Sequence, residues 1–247
     1  MTNTPAPAVI EVEHVAKSYR GAVAVADVSL QVREGETVGM LGVNGAGKTT
    51  TVEMIAGLRA PDHGRISVLG LDPRRDRAQL TQVLGMQLQE AQLHPSLTVS
   101  ELIELYRSFY PRPRSQAELL ELVELTAERD VRFEKLSGGR RQRLSIALAL
   151  AGRPRVLILD ELTTGLDPAA RRRMWRTIET LRAEGVTILL VSHTMEEVER
   201  LCDRLVLLEA GRVIAAAAPA ELLARSGTAT LDEAFLQLTG HDPEVSE

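Results

Sequence analysis

The run Gly42-Val43-Asn44-Gly45-Ala46-Gly47-Lys48-Thr49 leaves a chain few ways to fold. The apolar run 37–41 (TVGML) before it reads as a short buried strand, and the residues after it read as a helix ending near Gly57. A strand, a glycine-rich turn and a helix in that order bring successive backbone N–H groups to one point, because glycines carry no Cβ to block their convergence. The helix N-terminus adds positive potential, so the turn is a cradle for phosphate oxygens. Lys48 supplies a point charge to the terminal phosphates. It is one of three lysines (with Lys17 and Lys135) among 29 basic residues, as expected if a planar guanidinium cannot enter the nest. Thr49 offers a hydroxyl to Mg²⁺.

The rest of the chain supports an α/β core. Residues 9–15 and 28–33 alternate apolar and polar, as half-buried strands do. Residues 58–72 read as a turn, a strand and another turn, with Pro61 and Gly64 as breakers. From about 99 to 150 the pattern turns helical: Leu102, Leu105, Tyr106 and Phe109 recur at helical spacing, Pro111 and Pro113 end that helix, a second covers about 115–125, and a third begins after Gly139. The runs 156–159 (VLIL) and 186–191 (VTILLV) are continuous apolar strands of the kind buried on both faces, with a helix over 168–184 between them. A hairpin crosses Ala210-Gly211, and the tail from Pro219 is helical with a frayed acidic end, DPEVSE.

Two further features carry chemistry. The strand 156–159 delivers Asp160 to the sheet edge where a metal beside the phosphates would sit, and Glu161 follows, placed to hold or polarise a water. Leu136-Ser137-Gly138-Gly139 opens a helix, which makes either a second anion nest or an ordinary serine cap.

Together these motifs resemble the ATP-binding cassette (ABC) ATPase subunits over about residues 9–215. LSGGR at 136–140 looks like the family signature, and the resemblance places further residues in order. Tyr19 matches the aromatic that stacks on adenine, although a core tyrosine is the alternative. Gln89 matches the Q-loop glutamine, which bears on metal and water; Gln87 is its competitor, and the spacing of the following segment favours Gln89. Asp167 lies in the D-loop match, and His193, in LLVSHT, matches the switch histidine that reaches the γ-phosphate. The implied fold is an α/β P-loop NTPase with a RecA-like core sheet, an N-terminal antiparallel β subdomain and an inserted α-helical subdomain. The nucleotide-binding domain would span 9–223, with the helical insert at about 90–152 and a short helical tail at 224–247.

The resemblance implies ATP and Mg²⁺ as ligands. Gly42, Asn44, Gly45, Ala46, Gly47, Lys48, Thr49 and Thr50 would hold phosphate; Thr49, Gln89 and Asp160 the metal; and Glu161, His193 and Gln89 would act in hydrolysis. Two subunits would pair head to tail, so that the signature residues Ser137, Gly138 and Gly139 of one close on the ATP of the other, and Asp167 of the D-loop match would also bind nucleotide. The chain departs from the family's usual residues at Val43, Arg140 and Leu162, which leaves the turn after Glu161 the least secure geometry.

Composition bounds the setting. The chain has 247 residues, 44% of them hydrophobic, which excludes intrinsic disorder, and no apolar run approaches the roughly 20 residues of a spanning helix. The N-terminus lacks the basic start and apolar core of a signal peptide, and a single cysteine, Cys202, read as a core residue, suits a reducing cytoplasm. The expectation is a cytoplasmic ATPase, peripheral on the inner face of the membrane through a separate multi-helix permease. The helical insert, with its Leu102–Tyr106–Phe109 face, would be the docking surface, unless that stripe is core. The segment from Gly47 to Asp76 and the tail 231–240 look like the drug- and antibiotic-exporting, daunorubicin-resistance branch, which implies export of a small amphipathic molecule. The alternative is a soluble, non-transport ABC ATPase acting on ribosomes or nucleic acid, with 171–176 (RRRMWR) and 107–114 (RSFYPRPR) as basic patches. A net charge of −5 argues against nucleic acid. A P-loop kinase would not need LSGG.

Overall fold

The computed structural model describes residues 6–87, 93–163 and 165–240. The chain opens with two long antiparallel strands, β1 (Ala8–Tyr19) and β2 (Ala22–Arg33). Their turn, Arg20-Gly21, has positive φ at both residues, as a tight two-residue hairpin demands. Both strands run well beyond 9–15 and 28–33, because irregularities in pairing around Val15 and Lys17 break the period-two pattern that betrays a strand.

The elements that follow are β3 (Thr37–Leu41), α1 (Lys48–Ile55), β4 (His63–Val68), α2 (Arg77–Val83) and β5 (Leu84–Gln87). Then come the helices α3 (Val99–Arg107), α4 (Gln116–Leu122) and α5 (Gly138–Ala149), with 3-10 turns at Thr126–Glu128 and Phe133–Lys135. The chain then alternates: β6 (Val156–Asp160), α6 (Pro168–Ala183), β7 (Thr187–Val191), α7 (Met195–Leu201), β8 (Arg204–Glu209), β9 (Arg212–Ala217), α8 (Pro219–Ser226) and α9 (Leu231–Thr239). The α2–β5 unit had no clear sequence signal: a seven-residue helix and a four-residue edge strand are too short to show a period.

Among the described residues nine strands form one sheet, in the order β4-β1-β2-β9-β8-β3-β7-β6-β5. From β8 to β5 the neighbours are parallel, whereas β4, β1 and β2 are antiparallel. The hairpin of β8 and β9 turns at Ala210-Gly211 as expected, and β9 meets β2 through Asp27 and Arg212. The central strands β3, β6 and β7 are buried along their whole length, and their side chains alternate between two cores. Leu157, Leu159, Ile188 and Leu190 face the helices, while Val156, Ile158, Leu189 and Val191 face α1 and the antiparallel strands. This is why the two runs read as unbroken apolar segments.

The helices α3–α5 share the first of these cores through Leu102, Ile103, Leu119, Leu144 and Ile146. Full capping boxes start α3 (Thr98, Glu101) and α4 (Ser115, Glu118). The second helix stops at Leu122 rather than near 125. Glu124 takes a left-handed conformation, and the buried Arg143 guanidinium donates to the carbonyls of Val123 and Glu124. Leu222, Leu231 and Phe235 of the two tail helices close the same core.

Candidate nucleotide site

The sheet order decides what meets at the site. Because β7 lies between β3 and β6, the C-terminal ends of these three parallel strands are adjacent. The glycine-rich turn leaves β3, Asp160 ends β6, and His193 follows β7 by two residues. A parallel sheet places such ends at one edge, where ligands of α/β proteins sit.

Two glycines of the turn are dictated by space. A Cβ on Gly42 would lie 2.4 Å from the carbonyl oxygen of Leu208, and one on Gly47, at φ +101°, 2.6 Å from that of Ala24. The turn therefore packs against two other strands, and Gly47 serves as the left-handed N-cap of α1. Inside it, Lys48 Nζ donates to the carbonyls of Gly42 at 2.6 Å and Val43 at 3.1 Å, which aims the ammonium into the loop. Burial lowers its pKa, and the carboxylates of Glu161 and Asp160 oppose that. Asp160 is 3% exposed, and its pKa is pushed up to about 6, by burial first and by the neighbouring Glu161 charge second, with Lys48 pulling the other way. The edge thus gathers one cation and two acids in a confined space.

Glu161 sits at φ +50°, a conformation that L-residues adopt at a cost, and its N–H donates to the carbonyl of Val191 at 2.9 Å. That bond ties the end of β6 to β7 and brings Glu161 Oε1 to 3.9 Å from His193 Nδ1. Leu162, one of the family departures, is completely buried, so the turn after Glu161 is anchored in the core. Tyr19 is 37% exposed rather than core, with the Arg59 guanidinium and the Lys17 ammonium 5.4 and 5.6 Å from its ring centre. Gln89 lies outside the described residues, as does the acidic end of the tail. Gln87 is buried at the end of β5.

The Ser137–Gly139 segment lies elsewhere. Ser137 is the N-cap of α5 yet makes no side-chain capping bond, so an ordinary cap does not account for it. Ser137, Gly138, Gly139 and Asp167 line a cavity of about 610 Å³ with Arg140, Arg143 and Arg173, and no residue of 42–49 reaches it. Asp167 also caps α6, accepting from the N–H groups of Ala169 and Ala170, and the Ala170 contact above all holds its pKa down. Arg143 and Arg173 escaped the sequence reading, although Arg143 stands one helical turn beyond Gly139 on the same face.

The proposed docking stripe divides. Leu102 is core, whereas Leu105 and Phe109 are 45% and 60% exposed. Tyr106 and Tyr110 line an apolar groove of about 230 Å³ with Gln87, Leu93 and Leu148. The arginine run 171–176 is an ordinary helix face: Met174 and Trp175 are buried, and Arg171 and Arg176 pair with Glu196 and Glu124. Cys202 is buried, as expected.

Residues 25–164, more than half of the chain, match the family profile described as "ABC transporter". The chain belongs to the ABC transporter family. This ABC ATPase is 43% identical over 242 residues to the Nod factor export ATP-binding protein I of Paraburkholderia xenovorans (strain LB400), covering 96% of this chain and 78% of the relative. It is 41% identical over 244 residues to the protein of the same name from Rhizobium leguminosarum bv. viciae, covering 96% and 77%. Among solved structures, an ATP-binding subunit of an ABC transporter superposes with a TM-score of 0.84 at 30% identity, covering 93% of this chain and 99% of that one. The ABC cassette MJ0796, solved as a dimer in a post-hydrolysis state bound to ADP and Pi, has a TM-score of 0.77 at 27% identity and covers 85% and 98%. The ABC ATPase therefore has the P-loop NTPase fold expected from its motifs, binds ATP and hydrolyses it.

Proposed function

We propose that this ATPase works as one of two cassettes paired head to tail and drives export through a separate membrane-spanning subunit. The observation that carries this is the split site. Lys48, Asp160, Glu161 and His193 gather at one sheet edge, whereas Ser137, Gly138 and Gly139 face a separate cavity that the phosphate loop does not enter. A nucleotide gripped from both sides then needs a second copy, and the dimeric structure of MJ0796 supports that reading.

In this arrangement the loop amides from Gly42 to Thr50 and the Lys48 ammonium hold the phosphates, and Tyr19 offers its face to the adenine. The donor set suits Mg²⁺. Asp160 presents a confined carboxylate and Thr49 a hydroxyl, and a hard cation bound mainly through phosphates needs no more than one or two protein oxygens. When bound there, with Gln89 as a further ligand, the ion would neutralise charge developing on the phosphates. Glu161 orients and polarises the attacking water, His193 reaches the γ-phosphate, and the partner copy's signature serine, glycines and D-loop close the far side.

Export is supported by the names of the relatives, Nod factor export ATP-binding proteins, and by the exporter-like segments of the chain. A small amphipathic molecule is the proposed cargo class. No helix of the described residues is long and apolar enough to cross a membrane. The exposed Leu105 and Phe109 beside the apolar groove are the proposed contact for the membrane subunit, on the inner face of the cell membrane. The paired arginines of α6 lend no support to a ribosome- or nucleic-acid-directed function.

The test uses tagged Glu161→Gln protein expressed in its native cell, gently solubilised and purified with MgATP. Co-purification of a polytopic membrane protein is expected. Recovery in the soluble fraction with ribosomes or nucleic acid would refute the transport assignment.

A further inference from the structure

Glu197 has no part in the hydrolysis described above, yet it is the most deeply buried carboxyl of the described residues, with no solvent exposure. It lies on α7, four residues beyond His193. Its Oε1 accepts a hydrogen bond from the indole Nε1 of Trp175, on α6, at 3.2 Å. The hydroxyls of Ser192 and Thr163 act on the same carboxyl and favour its ionised form, against burial, which raises its pKa. Its second oxygen, Oε2, has no partner at ordinary hydrogen-bond distance among the described residues. Ser192 and Thr163 are themselves buried.

These contacts join three segments that the hydrolytic site uses. Ser192 immediately precedes His193. Thr163 lies two residues after Glu161 on the way to Asp167. Trp175 belongs to the helix that Asp167 caps. A carboxyl buried without a full set of partners costs free energy that a leucine of similar size would not. Packing alone does not call for an acid here. We propose that Glu197 is a positioning residue that couples the His193 segment to the segment running from Glu161 to Asp167, so that contact with a γ-phosphate at one is felt at the other. This deepens, and rests on, the site reading given above.

The molecule carries its own reporter. Trp175 is the only tryptophan in the chain, it is bonded to Glu197, and the guanidinium groups of Arg171 and Arg200 lie 5.7 and 5.1 Å from its ring. Its emission is therefore expected to shift with MgATP and not with MgADP.

The experiment measures tryptophan emission, labelled-ATP affinity and steady-state ATPase kinetics on the full chain and on Glu197→Gln. The variant should bind ATP within about threefold of the wild type and keep KM, lose about tenfold or more in kcat, and lose the ATP-specific emission shift. A residue that only supported the fold would not separate the emission response from affinity in this way. A folded Glu197→Gln protein with wild-type kcat and an intact ATP-specific shift overturns the inference, as does a wild type whose emission responds alike to both nucleotides. If Glu197→Gln does not fold, Thr163→Val and Ser192→Ala decide. Each should lower kcat by about threefold or more at unchanged affinity, and wild-type rates in both overturn it. A wild-type chain that fails to bind MgATP would overturn the site reading itself, a result distinct from normal turnover in the Glu197 variant.

Discussion

His193 Nδ1 lies 3.9 Å from Glu161 Oε1, across the seam between two neighbouring parallel strands. At that distance the pair is not a tight hydrogen bond, which leaves the imidazole able to turn. Each residue is held by its backbone rather than by the other: Glu161 by its N–H on the carbonyl of Val191, His193 by its place just past β7.

The first expected outcome concerns Glu161. Glu161→Gln keeps the size but removes the carboxylate proposed to act on the water, so ATP binding should persist while turnover falls by about 100-fold or more. The variant should accumulate as an ATP-bound dimer, seen by size-exclusion chromatography with MgATP. Normal turnover would strip Glu161 of its assigned role.

Lys48→Ala removes the ammonium that donates to the carbonyls of Gly42 and Val43 inside the glycine-rich turn. Labelled-ATP binding should weaken by about 100-fold or more, a loss of roughly 3 kcal/mol. Near-normal affinity would mean that the loop amides alone hold the nucleotide, and the lysine's role would be lost.

Glu36 ties β3 to β8 away from the site. Its carboxylate takes two bonds from Arg204, at 2.7 and 3.1 Å, and one from the Arg33 N–H at 2.8 Å. Burial pushes its pKa up, but the Arg204 and Arg33 contacts together outweigh that, and the net shift is downward. A depressed carboxylate contributes stability above its unfolded pKa of about 4.3 and loses it as pH falls through the folded value. Glu36→Gln should therefore lower stability by about 1–3 kcal/mol at pH 7 in urea titrations, with the deficit shrinking below about pH 4. A deficit independent of pH would assign the loss to packing.

Cys202 is buried, and its surroundings raise the thiol pKa, burial first and Glu197 second. The reactive thiolate is thus scarce and shielded. The folded protein should be silent toward a thiol reagent over hours, and the denatured chain should show one reactive group. Rapid labelling of native protein would place Cys202 at a mobile surface.

How much of this was legible depended on how local each feature is. The phosphate loop is contiguous, and so are the strand end bearing Asp160 and Glu161 and the Ser137–Gly139 nest; each could be read because residue type and neighbour order already define its backbone geometry. The doubly buried strands were visible for a similar reason, since both faces select apolar side chains. The full lengths of β1 and β2 were hidden by pairing irregularities, and α2–β5 by brevity. Leu102 and Phe109 share one periodic stripe, and only the packing of α3 against α5 shows that the first is core and the second open.

The family, the glycine-rich turn and the two acids at the end of β6 could be read from the chain order alone, because a glycine turn, a lysine and a strand-end carboxylate act through segments a few residues long. The tertiary structure alone decided that β7 stands between β3 and β6, which brings His193 to Glu161, and that the signature nest opens on a separate cavity. It alone set Glu197 against Trp175, Ser192 and Thr163. Those are contacts between residues far apart in the chain, fixed by strand order and helix packing, and no pattern of near neighbours encodes them.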